Sequence, residues 1–333
     1  MASTVIQAFN EFMKDTVNLD SEITKGAISS RDWLINQIAN FKSKESDFPT
    51  PYGEINISFG SFARKTKIKE LDDIDIMIGL SGQGSSYMTY SDRIEITVSG
   101  EAVNLLKLCH SNSKSLNSKR VINKFVSTCS NVPQYSRAEI KRNQEAAVLN
   151  LSSYPWSFDI VPCFITSEDL NGKSYYLIPD GNGYWKKTDP RIDKERTTRI
   201  NQYHDGSILQ VIRILKYWNR KAAMPTMSSY LLETMVLNYY KGKISKAGQF
   251  VDIEFPDVIA YIYHNILGDV GDPKGIQGNI NNLTYDERTK IKNKTAIDYS
   301  VSIAARKFEQ NKDMNSSISK WGEVFGNEFP KYN

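Results

Sequence analysis

The sequence predicts an α+β protein in which a mixed α/β first half is joined to an all-helical second half near residue 200. Three observations carry that expectation. Apolar residues recur at three- and four-residue steps over the first 45 positions, through Val5, Phe9, Phe12 and Met13 and then Ile28, Trp33, Leu34, Ile38 and Phe41; this is the helical period. Between residues 55 and 190, short apolar runs alternate with Gly-rich turns, as strands do. Beyond residue 200 only helix-period segments occur, most clearly ILQVIRILKYWNRK (208–221) and SYLLETMVLNYY (229–240).

Taken in order, Pro49 and Pro51 end the N-terminal helical region. A short strand is expected at 55–59, followed by a turn at Gly60-Ser61, a second strand over 74–80 and a Gly/Ser-rich loop over 81–86. Residues 92–129 are expected to be helical, including AVNLLKLC (102–109) and VINKFV (121–126). Strand character returns over 144–165, where AAVLNL leads to WSFDIVPCF. The stretch YYLIPDGNGYWKKTDP (175–190) reads as a hairpin whose DGNG turn favours positive φ. Further helices near 256–266, 285–310 and 316–326 complete the chain. Two domains, 1–200 and 201–333, follow from this change of pattern, and 333 residues suffice for two closely joined cores.

Bulk properties narrow the function. Forty per cent hydrophobic and 24% charged residues describe an ordinary globular protein. A net charge of +4 suits a binder of small polyanions better than a dedicated nucleic-acid binder. Cys109, Cys129 and Cys163 are odd in number and lack a CxxC pair, which argues against a disulfide framework or structural zinc and fits a reducing cytoplasm. The first 30 residues hold no unbroken apolar run and no segment approaches 18 apolar residues, so neither a signal peptide nor a membrane span is expected. His110, His204 and His264 lie far apart in the chain, so carboxylates are the first candidates for chemistry.

The densest chemistry lies in GSFARKTKIKELDDIDIMI (60–78). Residues two apart on a strand share a face, so Asp73 and Asp75 point one way while Ile74, Ile76 and Ile78 point into a core. Asp72 falls on the isoleucine side at the strand start, where it bends into solvent. Neighbouring carboxylates repel unless a cation sits between them, and Mg²⁺ often takes one or two carboxylates plus substrate phosphates. An isolated DxD pair is equally a solvated strand end. The preceding Gly60-Ser61 adds weight to the metal reading, because glycine lets backbone amides approach a phosphate closely. Arg64, Lys65, Lys67 and Lys69 add positive charge, most of it expected to face solvent.

Asp159 in WSFDIVPCF is the candidate third carboxylate. Trp156, Phe158 and Ile160 share one strand face and leave Asp159 on the other with Ser157 and Val161. Alone it would be a strand-edge aspartate; beside Asp73 and Asp75 it completes a two-metal platform. On the helix over 208–221, Arg213, Lys216 and Arg220 form a stripe beside the apolar face. That stripe is either a solvated basic edge or a grip, through Lys216, on a nucleoside triphosphate across a cleft. Ser228 and Ser229 begin the next helix as N-cap candidates, and free amides there also bind phosphate. Tyr230 is either a core residue or a platform for a base.

These segments resemble the bacterial cGAS/DncV-like nucleotidyltransferases, the CD-NTases of CBASS anti-phage signalling, within the polymerase-β-like superfamily. GSFARKTKIKELDDIDIMI is similar to the family's glycine-serine motif running into its D-x-D strand, and FDIVP to the segment with the third metal carboxylate. RILKYWNRK is similar to the helix with the triphosphate-binding lysine, and SSYLLE to the serine-aromatic segment that follows. Weaker echoes are IPDGNGYW with TDP (188–190), DPKGIQGNINNL (272–283) and WGEVFGNEF, so the likeness spans about residues 55 to 329.

The resemblance implies a polymerase-β-like core, with a mixed sheet and a long N-terminal helix, and a helical OAS/cGAS-like C-terminal lobe. The two would form a bilobed enzyme around a central cleft. It implies synthesis of a cyclic di- or trinucleotide second messenger from NTPs, ATP included, with pyrophosphate release. Asp73, Asp75 and Asp159 would hold two Mg²⁺ ions, with Mn²⁺ as the alternative metal. Gly60, Ser61, Lys216 and Ser229 would bind the triphosphate, and Tyr230 would stack on a base. The product would act on a downstream effector. The histidine- and cysteine-bearing zinc insertion of animal cGAS is lacking, so no DNA activator is expected, nor a membrane; a monomer is compatible with the sequence. One departure is Lys65, where the family commonly has glycine. Two alternatives stay open: a template-independent transferase acting on RNA or a small molecule, and a non-catalytic nucleotide sensor.

Overall fold

A computed structural model describes residues 2–333. The chain forms two compact units, one of residues 21–63 and 71–190, the other of residues 1–20, 64–70 and 191–333. It opens on helix α1 (Val5–Phe12), followed by α2 (Ser21–Ala39) and the one-turn α3 (Phe41–Lys44). Strand β1 is only Ile57–Ser58, because residues 53–55 coil into a 3₁₀ turn. Gly60 does not make a simple turn: with φ of +70° it starts the one-turn helix α4 (Gly60–Ala63). Strand β2 (Asp73–Gly79) comes next.

The helical expectation for residues 92–129 is corrected at its front. A hairpin of β3 (Ser86–Thr89) and β4 (Ile94–Thr97) occupies that region, and α5 (Val103–Leu106) is a single turn. In Ile94-Glu95-Ile96-Thr97 the apolar residues alternate with polar ones, with Ile94 and Ile96 buried, which is a strand period. The long helix starts later, at α6 (Ser118–Ser130), where the Asn117 side chain accepts from the Arg120 backbone N–H as N-cap. Strands β5 (Glu139–Asn143), β6 (Ala146–Asn150) and β7 (Ser157–Ile165) follow. The expected hairpin forms as β8 (Tyr176–Pro179) and β9 (Trp185–Thr188). Asp180 Oδ1 accepts from the amides of Asn182, Gly183 and Tyr184 at 2.7–3.0 Å and fixes its turn.

All nine strands join one sheet, ordered β1-β2-β7-β8-β9-β4-β3, with β6 and β5 continuing from the other side of β7. Only β2 and β7 pair in parallel; the remaining pairs are antiparallel. Helix α6 lies against β5, β6, β7 and β8, and buries Val121, Ile122, Phe125 and Cys129. Burial of the Val, Ile and Phe side chains is worth about 1.5–3 kcal/mol each. All three cysteines are free and buried; burial pushes the Cys129 thiol up to about 12 and Cys163 still higher.

The helical unit consists of α1 with α7 (Pro190–Tyr203), α8 (Ile208–Lys221), α9 (Ser229–Gly242), α10 (Val251–Asn265), α11 (Tyr285–Gln310) and α12 (Met314–Phe325), apart from the first residue of α7. The N-terminus belongs here because its aromatics do. Phe9 meets Trp321 edge-on at 4.9 Å and Phe12 meets Tyr217 at 5.0 Å; such pairs add about 0.5–1.5 kcal/mol each beyond area burial. Helix α11 begins with a capping box between Thr284 and Glu287. Among the described residues, no helix is long and apolar enough to cross a membrane.

Candidate active site

The parallel register of β2 and β7 assembles the acidic set. Asp75 pairs directly with Asp159, and Asp73 with Ser157. Side chains alternate along each strand, so Asp73, Asp75 and Asp159 stand on one face of the sheet. All three are half-buried, while Ile74, Ile76, Phe158 and Ile160 of the opposite face are buried. Further along the acidic face, Met77, Val161, Ala146, Val148 and Cys163 form a small apolar cluster. Neighbouring strands run about 4.8 Å apart, so two carboxylates in register repel strongly unless cations lie close by. Asp72 is exposed at the strand entrance, and its carbonyl accepts from the Ser157 amide at 2.9 Å.

Gly60 is built against this set. The Phe59 amide donates to the Asp75 carbonyl at 3.2 Å, which brings the chain before α4 onto the end of β2. A Cβ on Gly60 would fall 1.7 Å from Asp75 Oδ2 and 3.1 Å from Asp75 Cβ. Only glycine fits there, and the positive φ points the same way. The Asp75 carboxylate therefore lies beside the Gly60 backbone, with Ser61 next in the chain and half-buried.

The donor set suits a hard divalent cation: three carboxylates on one face, in a fixed strand register. Among the described residues no three or more His, Cys, Asp or Glu side chains converge closely enough to hold an ion by themselves. Carboxylate oxygens are donors that Mg²⁺ takes, with waters and substrate phosphates filling the rest of its shell.

In the helical unit Lys216 is not on a solvated edge. It is 7% exposed and pairs with Glu233 Oε1 at 2.5 Å. Arg64 Nε donates to Glu233 Oε2 at 3.1 Å, and the buried Thr66 hydroxyl donates to Oε1 at 3.0 Å. Burial pushes Lys216 below the ordinary lysine value, outweighing the attraction of Glu233, with Arg64 and Lys67 adding repulsion. Glu233 shows the opposite balance. Burial alone would raise it, but Arg64 and Lys216 together hold it below the usual carboxylate range. The group is thus an ionised carboxylate shared by two cations.

The same unit explains Lys65. It adopts φ of +60°, the left-handed conformation that glycine takes most easily. Arg213 Nη1 donates to its carbonyl at 2.9 Å, and Arg220 Nη1 donates to the Lys69 carbonyl at 3.2 Å, tying residues 64–70 to α8.

Ser228 is the N-cap of α9 and accepts from the Leu231 amide at 3.2 Å. Ser229 therefore enters the helix with its side chain exposed. The Tyr230 hydroxyl meets Asp193 Oδ1 at 3.0 Å, Asp272 Oδ1 at 2.6 Å and Lys274 Nζ at 2.8 Å. The Lys274 ammonium also lies 4.1 Å from the ring centroid and covers one face. Burial, then Asp272, push the phenol far above its ordinary value, so it stays protonated.

Sequence reasoning missed Glu233 and the inward role of Arg64. The available signal was a lone carboxylate within the apolar run of SSYLLETMVL, one turn beyond Ser229.

No protein-family model matches the chain. Among solved structures, Escherichia coli MS115-1 CdnC with ATP superposes with a TM-score of 0.69 at 17% identity, covering 98% of both chains. Apo Vibrio cholerae DncV gives 0.68 at 11% identity, covering 98% of this chain and 96% of that one; DncV is described as a cyclic AMP-GMP synthase and prokaryotic cGAS homologue. The fold is therefore that of the CdnC and DncV nucleotidyltransferases, as expected from the resemblance. A probable cyclic nucleotide synthase of Bacillus cereus (strain VD146) is 46% identical over 333 residues, all of this chain and 99% of the relative. The chain belongs to the bacterial cGAS-like nucleotidyltransferases, the CD-NTases, and is an enzyme of that family.

Proposed function

We propose that this enzyme makes a cyclic di- or trinucleotide second messenger from NTPs, ATP among them, in anti-phage defence, and that its product acts on a downstream effector. The observation that carries the reading is the in-register pair Asp75–Asp159 with Gly60 packed against Asp75. Asp73, Asp75 and Asp159 would hold two Mg²⁺ ions, which would supply Lewis-acid activation of a ribose hydroxyl and charge neutralisation of leaving pyrophosphate.

The protein's own groups do the remaining work. Gly60 and Ser61 offer backbone amides and a hydroxyl to the donor triphosphate. Lys216 and the exposed Ser229 hydroxyl bind the same triphosphate from the helical unit, and Glu233 positions Lys216. Asp159 accepts the proton of the attacking hydroxyl as its oxygen bonds to the α-phosphorus and pyrophosphate departs. A second transfer, with the linear intermediate turned around, closes the ring. Tyr230, fixed through its hydroxyl, offers at most one ring face to a base. Positioning and charge neutralisation supply most of the rate in such transfers.

Incubation with all four NTPs and Mg²⁺, without an added acceptor, tests the reading by mass spectrometry. A cyclic product is expected. A linear extension product formed only with added RNA, or no turnover beside tight nucleotide binding, would replace this reading with a polymerase or a sensor.

A further inference from the structure

A second basic feature of the helical unit is not used by this chemistry. A cavity of about 350 Å³ lies between α7, α9 and the loop at 271–273. Its wall carries Arg196 and Arg199 from α7 and Lys241 from α9, with Asn238 between them and Glu195 as the one carboxylate. Arg196 and Arg199 lie three residues apart on one helix face, and Asn238 and Lys241 repeat that spacing on the facing helix.

The charges in this cavity are unbalanced. Arg196 is half-buried and, among the described residues, its side chain donates one hydrogen bond, to Asn238 Oδ1 at 2.8 Å. No carboxylate lies within ion-pair distance of Arg196, Arg199 or Lys241 among the described residues. Asp193, the acid on α7 whose charge acts on Arg196, is already engaged by the Tyr230 hydroxyl and by Lys274 at 3.2 Å. Burial lowers the Arg196 guanidinium from its ordinary value; Asp193 opposes this and Arg199 adds to it. A half-buried guanidinium without a counter-charge is costly to keep. A planar fork beside two more cations matches the geometry of a phosphoryl group.

The cavity is also displaced from the triphosphate end of α9. From Ser229 to Asn238 and Lys241 is nine and twelve residues, about 14 and 18 Å along the helix axis. The Tyr230–Asp193–Asp272–Lys274 network comes between.

From these observations we propose that the Arg196–Arg199–Lys241 cavity is a binding site for the phosphoryl group of a small molecule, separate from the catalytic acids. Asn238 holds Arg196 in place, and the phosphoryl oxygens take bidentate donation from the guanidinium and a charge contact from Lys241. The cavity accommodates inorganic phosphate and is large enough for a phosphomonoester such as a nucleoside monophosphate. The proposal does not depend on which nucleotide the enzyme makes.

Isothermal titration of the full-length protein in Mg²⁺-free buffer tests it, with inorganic phosphate in one arm and adenosine 5′-monophosphate in the other. Binding is expected in at least one arm, and the tighter arm identifies the source of the phosphoryl group. Arg196→Gln should weaken it by about tenfold or more. Lys241→Gln and Arg199→Gln, which alter exposed side chains and leave the fold intact, should each weaken it by about threefold to tenfold. Asp73→Ala/Asp75→Ala should bind with unchanged affinity. Should Arg196→Gln fail to fold, the two exposed variants decide. The proposal is overturned by no binding up to 10 mM (a concentration about tenfold above a weak Kd of 1 mM), by unchanged binding in the cavity variants, or by binding lost only in the aspartate variant.

Discussion

The acidic face of the sheet and the basic interior of the helical unit solve the same problem in opposite ways. Asp73, Asp75 and Asp159 are like charges held together on one face by strand register. Lys216 and Arg64 are also like charges, but the chain supplies Glu233 between them. The acids are fixed by backbone pairing between two strands. The bases are held by an internal counter-ion on a facing helix. Rigid strands allow the first arrangement, because register cannot slip without turning Ile74 and Ile76 out of the core.

Gly60→Ala should break the acidic side most severely. The added Cβ displaces Asp75, and alanine at φ of +70° costs about 1–2 kcal/mol besides. Nucleotide synthesis should fall by at least about a hundredfold, as expected for a catalytic group moved by about 1 Å, with a lower denaturation midpoint. Near-normal turnover would show that Gly60 is only a turn residue.

Glu233→Gln should break the basic side through stability. Removing the carboxylate takes the shared counter-ion from the buried Lys216 and the half-buried Arg64, and a loss of about 3 kcal/mol is expected in urea unfolding. The pH dependence sharpens the same point. The folded Glu233 titrates below the unfolded value, so its contribution is complete above the ordinary carboxylate pKa of about 4.3. It is lost as pH falls through the depressed folded value. Wild type should therefore lose more stability than Glu233→Gln between neutral pH and that acid range; parallel profiles would remove Glu233 from its assigned role.

The smallest effect is expected at Lys65. Lys65→Gly should stabilise the protein by up to about 1 kcal/mol by relieving the left-handed backbone, with activity within about twofold, since the carbonyl bonded to Arg213 is kept. A loss of stability would mean that the lysine side chain has a structural task of its own.

The sequence made the acidic side legible because strand period two sorts Asp73 and Asp75 from the isoleucines, and Asp159 from Phe158 and Ile160, without tertiary knowledge. The register that joins Asp75 to Asp159 was not legible, since it depends on a crossover of 77 residues, 80–156. On the basic side, helix period placed Lys216 beside the apolar stripe but could not tell a solvated edge from a buried ion pair. That distinction depends on Glu233 and Arg64, which are 169 residues apart in the chain. The helical reading of 92–129 failed at its front because the two-residue spacing of Ile94 and Ile96, a strand period, was merged with the helix-period segments at 102–109 and 121–126. Membership of residues 1–20 in the helical unit rests on aromatic contacts of Phe9 and Phe12 that no local pattern reveals.

The central claim is that the acidic face carries the chemistry. Mass spectrometry of products from NTPs and Mg²⁺ should be compared for wild type and Asp73→Ala/Asp75→Ala, with circular dichroism to verify folding. The account predicts a cyclic nucleotide from wild type and none from a double variant whose circular dichroism matches that of wild type. A folded double variant that still makes the product would contradict it.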